Sequence, residues 1–189
     1  MESHGKIAAF AFFSAALLSA AVVDRIAVVI DKNVITESEV LIELRLTAFM
    51  NGDPLQFGPE QRREAAERLV DQYLIRKEMV MGGYNTPTDA DVETLLRTVR
   101  QQHYPTESEY RAALDRYGIS EDELKKYVRW QVEALRFTEA RFQTNLPDSQ
   151  SSDTQGANRS ESNIDQQMDA WLKDARSQAR IQFKKEAFQ

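Results

Sequence analysis

The sequence predicts a mostly α-helical domain: a core of about six helices with a small β-sheet formed by an N-terminal hairpin and a C-terminal strand. Three observations carry that expectation. Thr36, Thr106 and Ser120 are each followed three residues later by Glu, the pattern of a capping box at a helix start. Between residues 36 and 143, apolar residues recur at three- and four-residue spacing, the period of an amphipathic helix. Strand character is confined to residues 25–35 and 181–183.

The elements follow in order. Arg25 to Ile30 is rich in β-branched residues, Asp31-Lys32-Asn33 supplies turn chemistry, and Val34-Ile35 resumes the strand pattern. Thr36 with Glu39 opens a helix carrying Val40, Leu41, Leu44 and Ala48, stopped at Asn51-Gly52-Asp53-Pro54. Gly58-Pro59 opens a second helix, with Ala66, Leu69, Val70, Tyr73, Leu74 and Met81 near one face, and Gly82-Gly83 closes it. Thr88 caps a third, with Val92, Leu95, Leu96 and Val99, ended at Tyr104-Pro105. Thr106 with Glu109 starts a short fourth through Tyr110, Ala113 and Leu114, closed by Gly118. Ser120 with Glu123 starts a long fifth, to about Gln143. Residues 145–160 are polar and read as a flexible linker. A closing helix carries Ile164, Met168, Trp171, Leu172 and Ala175, and Ile181-Gln182-Phe183 alternates like a strand. A lone strand leaves backbone groups unsatisfied, so this one is expected to return and pair with the N-terminal hairpin.

Lys6, the apolar run Ile7–Leu18 and the small residues Ser19-Ala20-Ala21 read as a secretory leader over 1–21, cleaved after Ala21. An uncleaved membrane anchor is the alternative, and a buried core helix a third. The domain then runs from 22 to 144 and is completed by 161–189 after the linker. With no cysteine among 189 residues, stability must come from packing. The net charge of −6, with both signs mixed along the chain, argues against nucleic acid as a partner.

The inventory for catalysis is thin. His103 is the one histidine beyond the leader, and no His/Cys/Asp cluster has metal-ligand spacing, so neither metal nor cofactor is expected. The acidic pairs Asp89/Asp91 and Glu121/Glu123 fall in helix first turns, where the dipole explains them. Binding has more support. The fifth helix carries two apolar stripes, one of Leu124, Val128, Leu135 and Phe142, the other of Tyr127, Trp130, Ala134 and Phe137. One stripe suffices for a core helix, so the second needs a neighbouring helix, a second subunit in a dimer, or an unfolded client. Tyr127, Trp130 and Phe137, with Met79, Met81, Phe49 and Met50 as adaptable contacts, are the candidate client-binding residues. The competing assignment is ordinary core. If the rings form an open cradle, Trp130→Ala with Phe137→Ala should weaken client binding and leave the melting temperature nearly unchanged.

The order of segments resembles the SurA-type periplasmic chaperones. Val23 to Ile30 followed by Val34 to Val40 is similar to the opening of the mature family members. Leu69-Val70-Asp71-Gln72-Tyr73-Leu74-Ile75 looks like a family helix, as does the capped start from Pro87 to Val92. Tyr117 to Leu124 resembles the Gly-Ile-Ser entry to the long helix, and Trp171 to Arg176 with Ile181 the closing helix and strand. The resemblance spans most of residues 22–189 outside the linker. It implies an ATP-independent periplasmic chaperone for unfolded or extended envelope proteins, with membrane contact only through an uncleaved leader. Family members often carry parvulin-type prolyl isomerase domains before the closing helix. Here residues 145–160 stand in that place, so isomerase activity is not carried over. The alternative function is an assembly subunit dedicated to one envelope partner.

Overall fold

The computed structural model describes residues 24–84, 86–142 and 154–189, with side chains of the last segment from Asn163 onward. The leader expected at 1–21 and the linker residues 145–153 lie outside the described residues.

Strands β1 (Ile26–Ile30) and β2 (Asn33–Thr36) form the hairpin, and β3 (Ile181–Phe183) returns to β1. The sheet order is β2-β1-β3 with both pairings antiparallel. Val28 stands opposite Ile35 on one side and Phe183 on the other. A bulge between Ile26 and Val28 breaks the alternation of faces, which is why Ala27 and Val28 are both buried. Asp31 makes the turn at φ 53°, a left-handed conformation Asp tolerates. Its backbone and carboxylate both bond the Arg180 backbone at 3.0 Å, and Lys77 Nζ donates to it at 3.1 Å. The hairpin turn is thus tied to the entry of β3.

The described residues form six helices besides this sheet: α1 (Glu37–Asn51), α2 (Pro59–Gly82), α3 (Asp89–His103), α4 (Glu107–Tyr117), α5 (Glu121–Phe142) and α6 (Thr154–Gln178). The three expected capping boxes are formed, and Thr88 with Asp91 makes a fourth. Left-handed Gly52, Gly83 and Gly118 terminate α1, α2 and α4. The closing helix begins at Thr154, so residues 154–160, expected as linker, continue it instead. A 3-10 turn, Lys185–Phe188, ends the chain.

The interior has three parts. The sheet packs on α1 and α2 through Val28, Ile30, Val40, Ala66 and Val70. Helices α1, α3, α4 and α5 meet around Phe49, Leu96, Tyr110 and Leu124. The ends of α2 and α5 meet α6 around Ile75, Trp130, Phe137 and Phe142. Two apolar positions depart from expectation. Met81 is 70% exposed because it lies in the last turn of α2, past the reach of the sheet. Leu135, expected on the core stripe of α5, is 58% exposed. That stripe is buried at Leu124 and Val128, where α3 lies along α5.

Candidate functional site

The candidate residues separate into two places. Phe49 is fully buried, stacked on Tyr104 at 4.6 Å and edge-on to Tyr110 and Tyr117. Its neighbour Met50 and Tyr127 of α5 are half-buried against the same cluster. Trp130 and Phe137 are buried with half-buried Met79 in the cluster that α6 covers. Phe137 lies 5.3 Å from the Trp171 ring and 5.1 Å from that of Tyr84. Met81 stands apart, on the rim of a shallow cleft with Trp171 and Ala175. The expected open cradle is therefore closed: α3 and α4 cover Phe49, and α6 with the end of α2 covers the second stripe of α5. Burial of these rings favours the competing core assignment, under which Trp130→Ala and Phe137→Ala cost stability.

Among the clefts that stay open is a groove between α1, α2 and α5, with a volume of about 310 Å³. Ile42 and Leu46 of α1, Leu69 of α2, and Tyr127 and Trp130 of α5 make its walls mostly apolar. Arg76 and Lys126 stand among its polar groups, and the Arg76 guanidinium sits 4.7 Å above the Trp130 ring. Helical spacing explains the convergence: residues 42 and 46, 69, 72 and 76, and 123, 127 and 130 recur on one face of their helices.

Glu43, 4% exposed, also lines this groove and is the buried charged residue of the described core. A buried carboxylate is costly unless its oxygens are bonded. Arg68 Nε donates to Oε1 at 3.2 Å, Thr47 Oγ1 to the same oxygen at 3.3 Å, and Gln72 Nε2 to Oε2 at 3.1 Å. Thr47 Oγ1 is also 3.2 Å from the Tyr127 hydroxyl. Burial, reinforced by the negative Glu43, pushes the Tyr127 hydroxyl up to about 12, so it stays protonated. The network ties α1 to α2 through Glu43 and to α5 through Thr47 and Tyr127. Ile42, Glu43 and Leu69 escaped the sequence reading as site residues. The available signal was a Glu one position before Leu44 and three after Val40, on the apolar side of its helix.

The acidic pairs serve structure. Asp91 and Glu123 accept capping bonds, and Asp89 pairs with Arg129 at 2.5 Å. The His103 ring packs beside Gly52 and Tyr104. Among the described residues, no three His, Cys, Asp or Glu side chains are placed to hold a metal ion, and no helix is long and apolar enough to cross a membrane.

No family model matches the chain. Over 141 residues it is 28% identical to a protein from Methylobacillus flagellatus named Chaperone SurA. The match covers 72% of this chain and 32% of that protein, so the chain spans about a third of the length of the relative it matches. That similarity is distant and partial, and it agrees with the chaperone resemblance at the coarse level of the family.

Proposed function

We propose that this chain is an ATP-independent periplasmic holdase that takes apolar segments of unfolded envelope proteins into the α1/α2/α5 groove. The carrying observation is the groove itself: mostly apolar walls on helices tied together by the bonded Glu43 network, with Arg76 and Lys126 among its lining residues. Such a surface accepts many apolar sequences while its charged groups stay hydrated. The partial similarity to a chaperone supports the same reading, as does the leader pattern at residues 1–21 for an exported location. The reading is non-catalytic. Residues 143–153 between α5 and α6 leave no room for a folded domain, which needs about 50 residues or more.

Aggregation of reduced insulin and of a heat-unfolded enzyme tests the proposal. The absence of cysteine means the reductant leaves this chain unaltered. The chain should delay aggregation of both. Leu69→Gln, which places an amide in the groove wall, should reduce the delay at least fivefold. Leu69 is half-buried, so the variant should lose only about 1 kcal/mol, a shift of about 2–4 °C in melting temperature. No delay with either client, together with co-purification of one envelope protein at fixed stoichiometry, would assign a dedicated assembly subunit instead.

A further inference from the structure

The second apolar stripe of α5 is covered by a helix that buries little of itself. Its Trp130 and Phe137 are buried, together with Phe142 of the first stripe and Ile75 of α2. The residues covering them, Ile164, Met168, Trp171 and Leu172 of α6, are only half-buried, and no described residue of α6 is fully buried. Firm polar anchors sit toward the other end of that helix. Arg176 Nε donates to Asp71 at 2.7 Å, its Nη1 bonds the Glu67 carboxylate, and its Nη2 donates to the Glu67 carbonyl at 3.1 Å. Five residues on, β3 joins β1.

The other five helices carry acidic residues in their first turn, facing the positive end of the dipole; α6 carries none. Gly156 falls inside its second half-turn, and Ile164 is the first large apolar residue in it.

We propose that residues 164–172 of α6 form a resident strap over the Trp130–Phe137 stripe, and that an unfolded client displaces it while Arg176 and β3 hold the hinge. This rests on the holdase reading and extends it to a second surface. The strap defines the class of segment the stripe accepts: an amphipathic helix with apolar residues at i, i+4 and i+7 or i+8 and an aromatic at i+7, the spacing of Ile164, Met168, Trp171 and Leu172. In the closed state the strap keeps the stripe from self-association. In the open state the client exchanges for a segment of matching chemistry, so the net cost of opening is small.

The test uses the full chain and a reduced, carboxymethylated globular protein as a permanently unfolded client. Hydrogen exchange is followed by mass spectrometry with and without that client. Saturating client should accelerate exchange over 164–172 and leave α4, which lines neither the groove nor the stripe, unchanged. Ile164→Ser with Met168→Ser should bind the client at least threefold more tightly by fluorescence anisotropy, because the competing strap is weakened. Client binding with unchanged or slowed exchange over 164–172, or a folded double variant that binds no better, overturns the strap and leaves the groove holdase standing. If the double variant does not fold, the exchange result on the unaltered chain decides alone. Absence of client binding by both forms overturns strap and holdase together.

Discussion

Gly52 ends α1 at φ 72°, and a Cβ placed on it would lie 2.7 Å from Nδ1 of His103. Two costs therefore meet at one residue: the left-handed backbone, about 1–2 kcal/mol for an L side chain, and a steric conflict with a ring held at the end of α3. Gly83 separates them, because it has nearly the same φ, 65°, and nothing within 4 Å of its would-be Cβ. Gly83→Ala should cost about 1 kcal/mol in urea denaturation, and Gly52→Ala about 2 kcal/mol or more. Adding His103→Ala should bring the Gly52→Ala increment down toward the Gly83 value; an unchanged increment would mean that the ring imposes no constraint. The Gly52 stop was legible from its Asn-Gly-Asp-Pro context. The ring beside it was not, because residue 103 approaches it only after α1 and α3 dock.

At the scale of the element, the helix starts were the most readable feature, since a capping box is local chemistry within four residues. Two of those boxes, with the hairpin turn, also make the fold acid-sensitive. The Thr88 side-chain and backbone bonds hold the Asp91 carboxyl below its usual value, the Ser120 bonds do the same for Glu123, and the Arg180 backbone with Lys77 does so for Asp31. A carboxylate depressed in the folded state contributes stability above its unfolded pKa and loses it as pH falls through the folded one. Their contribution should thus be full above about pH 5 and decline below about pH 4. Melting temperature against pH checks this: Glu123→Gln should flatten part of the acid slope, and an unaltered slope would remove Glu123 from the account. The β1 bulge is the counter-example at this scale. Alternation alone would have put Ala27 and Val28 on opposite faces; the register between Ile26 and Val28 buries both.

At the scale of the whole molecule, α6 and β3 turn a row of helices into a closed domain. Arg176 reaches across more than a hundred residues to Glu67 and Asp71. Burial raises the Glu67 carboxyl, but the Arg176 and Arg63 bonds outweigh it and keep the group below its usual value. With α6 in place, Trp130 and Phe137 are core, so Trp130→Ala and Phe137→Ala should each cost about 3–5 kcal/mol by chemical denaturation. Losses under about 1 kcal/mol would return both rings to an open surface. The sequence by itself determined the boundaries of α1 to α5, the hairpin and the need for a returning strand. It could do so because caps, periodicity and unsatisfied strand backbone are consequences of neighbouring residues or of an accounting that any fold must close. Only the tertiary structure decided which apolar stripe is covered, by what, and where a groove remains. Apolar side chains at helical spacing look alike whether they meet a neighbouring helix or water. The choice between the two depends on the reach of α6, an element that joins Trp130 and Phe137 only through packing between segments distant in the chain.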